Sequence, residues 1–376
     1  MPRTRRGRPS AGWLAVLLVA TACSGTADST TTDATEPVAK SPASSTAVSS
    51  TTSPPASTTT TAPPSTTTTT TTTTQPPRIW DGLERVNFLL LGSDAGVGRT
   101  GTRTDTIILL SVEPESGDAA MFSIPRNLTE VPLPEGMGVW GCDCFPDIIT
   151  HLWANGEWYP DAFPGPQAPS VNALKAAVGL LFDLDIHYYA KVDLAGFVAM
   201  IDAIGGVTID VPKRIVDASY PHENGGTVSI AIEEGTQHLD GHLALAYGRI
   251  RRGSGDFARM HRQRCLIGAV IDQTDLADVA AGGLELVAAA IEHIETDIPL
   301  EALADFVLLA SRIDLDRLAT LRITSYNYGQ SGHAGYQIYD IDRIRADATA
   351  LLADPTTTLE TQDGASFAQT CEESFD

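Results

Sequence analysis

The sequence predicts a layered α/β domain. Three features carry this reading: short, continuous apolar runs of strand length, later segments with apolar residues at helical spacing, and no repeat of fixed period. The first run, at 86–91, is Val-Asn-Phe-Leu-Leu-Leu and stops at Gly92. The second, at 106–112, is Thr-Ile-Ile-Leu-Leu-Ser-Val, and a third short one follows at 119–124. Pro114, Ser116, Gly117 and Asp118 punctuate the link between the last two as in a hairpin. Unbroken apolar runs, rather than alternation, imply strands covered on both faces.

Helical spacing begins at 171–182, where Leu174, Ala177, Val178 and Leu181 fall on one side. Residues 194–204 form another helical segment, with Asp193 as its N-cap and Gly205-Gly206 as its stop. A strand at 207–211 follows. A helix over 240–247 leads into an arginine-rich segment, and a long helix covers about 256–272. Further helices are expected at 276–293, 300–310 and 341–352, with a strand at 318–323.

The ends of the chain differ in composition from this folded part, 78–354. Arg3, Arg5, Arg6 and Arg8 precede an apolar stretch at 11–22. That stretch is too short to cross a hydrocarbon core, which takes about 20 apolar residues. It suits a secretory signal, and Ala20-Thr21-Ala22-Cys23 resembles a lipoprotein cleavage site. Residues 1–23 are therefore expected to be a signal peptide, with Cys23 the lipidated residue. Residues 24–77 are mostly Thr, Ser, Pro and Ala, which bury too little to offset the entropy of ordering, and read as a disordered stalk. Residues 355–376 read as a flexible tail.

The net charge is −22, from 47 Asp and Glu against 25 Lys and Arg. No global positive field would attract nucleic acid. Anion binding must come from a local concentration of cations, which makes the positions of the arginines informative. Beyond Cys23 the cysteines are Cys142, Cys144, Cys265 and Cys371. Export permits disulfides. Cys142 and Cys144 sit too close in sequence to pair comfortably with each other, so one is expected to pair with Cys265 or Cys371.

Arg249, Arg251, Arg252, Arg259, Arg262 and Arg264 fall within one short stretch that contains no lysine. A guanidinium donates two parallel hydrogen bonds to a phosphate and keeps its charge, so this pattern points to a phosphate-rich ligand. Gly253 and Gly255 bend the segment, leaving Arg259 and Arg262 on one face of the following helix. A second constellation lies at strand ends: Asp94, Arg99, Arg103, Asp105 and, after the third strand, Arg126. Asp94 and Asp105 are hard oxygen ligands suited to Mg²⁺ or Mn²⁺ shared with a phosphate. Strand ends along one sheet edge are where α/β proteins place ligands.

These residues occur in ordered motifs: Leu-Leu-Leu-Gly-Ser-Asp94, Arg103-Thr-Asp-Thr, Ser-Ile-Pro-Arg126, Asp202-Ala-Ile-Gly-Gly-Val207, Glu234-Gly-Thr-Gln-His-Leu-Asp-Gly241, Tyr-Gly-Arg249-Ile-Arg251 and Asp256-Phe-Ala-Arg259-Met-His-Arg262-Gln263. Together they resemble the LytR-CpsA-Psr family over about 85–352. The resemblance implies a single α/β/α domain with a central mixed sheet. It implies a transferase that moves a glycopolymer from a polyprenyl-pyrophosphate carrier to peptidoglycan at the outer face of the cytoplasmic membrane. Asp94 and Asp105 would then hold Mg²⁺. Arg103, Arg126, Arg249, Arg251 and Arg259 would bind the pyrophosphate, with Arg262 and Gln263 on the same helix. Asp256 would orient arginines or act as a base. The same site would also serve hydrolysis of a lipid-linked pyrophosphate, or binding of the lipid or polymer without turnover.

The chain departs from the family at Asn127, where an Asp is common, and in an enlarged region between Arg126 and Asn172 containing Gly141-Cys-Asp-Cys-Phe145. Its short signal and long stalk stand where the family has a membrane helix. His238 and His242 flank Asp240 but lack an evident third metal ligand, and are read as surface or capping residues. Tyr188 and Tyr189 are read as packing residues.

Overall fold

A computed structural model describes residues 78–95, 102–251, 255–273, 294–314, 317–330 and 338–359. The signal, stalk and most of the tail lie outside these residues, as does the helix expected at 276–293. The described residues belong to one compact unit.

The central sheet is built from β1 (Val86–Ser93), β2 (Thr104–Val112) and β3 (Ala119–Ile124), with β4 (Val131–Pro132) and β5 (Cys144–Phe145) forming a small separate ladder. Next come α1 (Leu152–Trp158), α2 (Pro169–Phe182), β6 (Tyr188–Val192), α3 (Leu194–Ala203), β7 (Val207–Val211), β8 (Ile215–Pro221), β9 (Thr227–Ile232) and β10 (Gly235–Leu239). The chain continues through α4 (Gly241–Arg249), α5 (Gly255–Gln273), β11 (Ile294–Thr296), α6 (Leu303–Ala310), β12 (Ala319–Arg322), α7 (Ser325–Tyr328), β13 (Gly329–Gln330), β14 (Ile338–Tyr339) and α8 (Ile341–Ala353). The six-stranded sheet has the order β11-β6-β1-β2-β3-β12. β1 runs parallel to β6 and antiparallel to β2; β3 runs antiparallel to β2 and parallel to β12. The sheet is therefore mixed, as expected.

The apolar runs are covered on both faces because alternate side chains enter different cores. Leu89, Leu91, Ile107, Leu109, Phe122 and Ile124 join one cluster with α2 and α8. Phe88, Ile108, Leu110 and Met121 join another with α6. A third cluster links α3, α4 and α5 to β7 and to the β8–β9 hairpin. The β2–β3 turn is tight: Gly117 has φ +78°, and a Cβ there would stand 2.0 Å from the Arg312 carbonyl oxygen. Asp193 caps α3, accepting from the Gly196 amide at 2.7 Å. Gly205 and Gly206 reverse the chain after it, at φ +82° and +85°. Tyr188 and Tyr189 do pack: Tyr188 lies against Phe88 and Phe306, and Tyr189 is 6% exposed.

The cysteine expectation is corrected. Cys142 and Cys144 are disulfide-bonded to each other, with Cα atoms 5.2 Å apart. A fully extended chain would hold them about 6.7 Å apart. Here the backbone bends over 141–143 and shortens the separation to a value near the commonest disulfide spacing. Cys265 is also disulfide-bonded.

The enlarged region between Arg126 and Asn172 supplies core rather than loop alone. Phe145, Ile149, Leu152, Trp153 and Phe163 are all buried in the first cluster. Phe122 sits at the centre of that cluster, fully buried and 5.0 Å from the Phe182 ring. Phe122→Ala is expected to lower the unfolding free energy by about 3–5 kcal/mol in urea denaturation. A loss below about 1 kcal/mol would show that this core collapses around the cavity instead.

Candidate functional site

The C-terminal end of β1, the N-terminal end of β2 and the C-terminal end of β3 lie on one edge of the sheet, because Gly92 pairs with Thr106 and Ile107 with Ile124. This brings Asp94, Arg103, Asp105 and Arg126 to one side. The Asp94 amide donates to the Arg103 carbonyl, and the Arg103 amide donates to Asp94 Oδ1, both at 2.9 Å. That reciprocal pair closes the loop between β1 and β2 and fixes the Asp94 carboxylate, which is 9% exposed.

Asp105 is the electrostatic centre. Arg126 Nη1 donates to its Oδ1 at 2.7 Å, Thr150 Oγ1 reaches the same oxygen at 3.4 Å, and Arg259 Nη1 donates to its carbonyl at 3.4 Å. Burial alone would raise the Asp105 carboxyl. The Arg126 hydrogen bond and the charges of Arg126, Arg259 and Arg251 outweigh it and hold the group below the usual carboxylate range. Asp105 is therefore ionised at neutral pH.

The second half of the site comes from α4 and α5. Asp240 caps α4 through the Leu243 amide at 2.8 Å, which sets the direction of the helix that ends at Arg249. Arg249 Nη1 donates to the Tyr220 hydroxyl at 3.1 Å, and its guanidinium stands 5.5 Å from that ring. Gly248 permits close approach of α5: a Cβ there would lie 2.9 Å from Leu266 Cδ1. Gln263 Nε2 donates to the Gly248 carbonyl at 3.2 Å.

A cavity of about 710 Å³ opens at this edge and runs beneath α3, α4 and α5. Asp94, Asp105, Arg249, Arg251, Arg259 and Gln263 line it. The rest of its wall is largely apolar, with Ile108, Met121, Leu194, Phe197, Leu266 and Ile267 among the contributors. Six of the residues singled out in the sequence thus meet around one space. Three do not line it. Arg103 is exposed beside the loop, and Arg126 is engaged by Asp105. Arg262 is buried behind the site, where Nε donates to the Tyr247 carbonyl at 2.7 Å and Nη2 to the Ile250 carbonyl. Asp256 falls in the first turn of α5, and its side chain lies outside the described structure, as do Arg99, Arg252 and Cys23.

Sequence reasoning missed Tyr220, Lys191, Asp193 and Asp217, which also line the cavity. Lys191 Nζ pairs with Glu295 Oε2 at 2.6 Å and sits 4.0 Å above the Trp153 ring. No short motif marks these residues. They belong to separate strands and a helix start that only the sheet and hairpin geometry assemble.

A model of the LytR_cpsA_psr family matches residues 45–351. The chain belongs to the LytR_cpsA_psr family. It is 30% identical over 272 residues to the polyisoprenyl-teichoic acid–peptidoglycan teichoic acid transferase TagU of Oceanobacillus iheyensis, covering 71% of this chain and 76% of that one. The crystal structure of B. subtilis TagV superposes with a TM-score of 0.53 at 25% identity, covering 72% of this chain and 98% of that one. TagT bound to LI-WTA shares the fold, with a TM-score of 0.52 at 20% identity, over 75% of this chain and 95% of that one. The mixed sheet expected from the LytR-CpsA-Psr motifs is thus the sheet of the family.

One buried titratable group beside the site has a measurable consequence. His261 on α5 is 6% exposed, and burial, reinforced by Arg264, Arg322 and Arg262, pushes it down to about 4. The unfolded chain takes up this proton near its ordinary value of 6.5. Between those values the unfolded state binds more protons, so stability falls on acidification from about 6.5 to about 4, by up to about 3 kcal/mol. Melting temperatures recorded across that window should drop for the wild type and drop less for His261→Gln. Parallel losses in the two proteins would assign the acid sensitivity to other groups.

Proposed function

We propose that this protein is a glycopolymer transferase that moves a polymer from a polyprenyl-pyrophosphate carrier onto peptidoglycan. The observation that carries the reading is that one cavity is lined both by charged groups at the strand ends and α4–α5 and by a largely apolar wall. An amphiphile with a pyrophosphate head and an isoprenoid tail matches both parts. Arg249, Arg251 and Arg259 present guanidinium groups to the head, while the apolar wall takes the tail out of water. The names of the TagU relatives support a teichoic-acid type of polymer and a peptidoglycan acceptor.

The donor set fits Mg²⁺. Asp94 and Asp105 both line the cavity beside the arginines, and Asp105 is held ionised. Two hard carboxylate oxygens next to a phosphate site are the ligands this ion prefers. When bound, Mg²⁺ would offset negative charge on the pyrophosphate oxygens. The protein's own residues do the rest. Arg249, braced by Tyr220, and Arg259, braced by the Asp105 carbonyl, hold the phosphates in place. Arg126 supports Asp105 from behind, and Arg262 fixes α5 against the end of α4. An acceptor hydroxyl attacks the phosphorus that carries the polymer, the bridging P–O bond breaks, and polyprenyl phosphate leaves, its newly freed phosphate oxygen taking up the hydroxyl's proton. Positioning and charge stabilisation suffice for such a transfer.

The reading also assigns a location. The basic, apolar and Cys23-containing start of the chain supports export, with the domain tethered at the outer face of the cytoplasmic membrane by a lipid on Cys23 and a Thr-rich stalk.

Arg251→Ala and Asp105→Asn are expected to retain the wild-type circular dichroism spectrum and to lower transfer of a lipid-linked polymer to peptidoglycan by about 10²–10³-fold. Undiminished transfer by both variants overturns the assignment. Release of free polymer phosphate, with no covalent adduct to peptidoglycan, would identify water as the acceptor and make the protein a hydrolase.

A further inference from the structure

The β8–β9 hairpin carries a cluster that the transfer reaction does not use. Its tip is a tight turn: the His222 amide donates to the Gly226 carbonyl at 3.1 Å, and the Gly225 amide to the His222 carbonyl at 3.0 Å. The turn brings His222 and Glu223 against His242, in the first turn of α4. Glu223 Oε2 lies 3.0 Å from His242 Nδ1, and Oε1 lies 3.5 Å from His222 Nδ1. The two imidazoles stack at 4.6 Å between centroids. One ligand atom from each residue lies within 4.8 Å of the other two.

An ion-pair cluster explains this arrangement poorly. The Glu223 side chain is only 6% exposed, so its charge needs a partner. Protonating both stacked rings would place two like charges together against a single carboxylate. The Asn224 amide donates to His222 Nδ1 at 3.1 Å, which orients that ring at the hairpin tip. Neutral imidazoles beside a carboxylate are the state in which these groups bind metal. Two nitrogens and one oxygen suit a first-row ion that accepts imidazole, whereas Mg²⁺ favours oxygen ligands.

We propose that His222, Glu223 and His242 form a site for a divalent ion of the zinc type, which clamps the β8–β9 hairpin onto the start of α4. The site is separate from Asp94 and Asp105, since none of its three residues lines the cavity. It is nevertheless connected to the cavity wall. Tyr220 packs edge-on against His242 at 5.9 Å, lines the cavity and accepts the hydrogen bond from Arg249. A bound ion would hold that wall in register with the helix that carries Arg249.

The test uses the full chain without a histidine tag, stripped of metal by chelator and titrated with Zn²⁺ alone in a calorimeter, with Mg²⁺ in a parallel titration. One equivalent of Zn²⁺ should bind and raise the melting temperature, and Mg²⁺ should not compete. His242→Ala and Glu223→Gln should weaken Zn²⁺ binding by at least about tenfold, the scale on which even outer partners of metal ligands act. Asp105→Asn should leave it unchanged. His222→Gln, at the hairpin turn, provides a variant outside the helix should the others fail to fold. Absence of Zn²⁺ binding by the wild type overturns the proposal, as does wild-type affinity in His222→Gln or His242→Ala. The outcome does not depend on transfer activity.

Discussion

Helix α5 carries three arginines into the interior of an acidic protein, and the rest of the site is arranged around that constraint. Arg259, Arg262 and Arg264 are 3%, 6% and 2% exposed. A guanidinium stripped of water keeps its charge at a large desolvation cost, so surrounding groups must meet it. Arg262 is met by two backbone carbonyls at the end of α4, and Arg259 by the carbonyl and the charge of Asp105. Burial, with Arg322 nearby, pushes even Arg264 down to about 9. Burial, reinforced by the same arginines, also pushes His261 well below its ordinary value. These contacts fix α5 relative to both α4 and the edge of the sheet.

That fixed relation makes the cavity a single site rather than two patches. The sheet edge contributes carboxylates, and α4 and α5 contribute guanidinium groups. The cavity between them is otherwise walled largely by apolar side chains. Electrostatic preorganisation depends on donors that do not reorganise when charge develops. Arg249 and Arg259 satisfy this condition because each is already hydrogen-bonded to a rigid element, Tyr220 on β8 and the backbone of β2. The overall charge of −22 sharpens the effect, since anions are attracted only where the arginines converge.

Much of the fold is legible in the sequence because strand and helix periods are local properties. β3 and β7 occupy the ranges that their apolar runs mark, and α3 begins at its Asp193 cap and ends at the paired glycines. The β8–β9 hairpin is a different case. Its burial alternates weakly, with several exposed residues, so it leaves no strong period in the sequence. Its importance comes from where it lands, against the first turn of α4. His242 shows the limit clearly. Its neighbour at helical spacing, His238, faces Thr208 on β7, while its true partners lie on a hairpin about twenty residues earlier.

The sequence by itself determined the α/β class, the pairing of an arginine cluster with strand-end carboxylates, and the ordered motifs of the family. Those follow from residue type and spacing. Only the tertiary structure decided which arginines face the cavity and which serve as struts. Arg259 and Arg262 are three apart on one helix, yet one lines the cavity and the other donates to backbone carbonyls behind it. Tertiary structure also joined Cys142 to Cys144 and placed Tyr220 beside Arg249. Each of these outcomes depends on the direction of a side chain relative to a distant element, and local spacing carries no information about that direction.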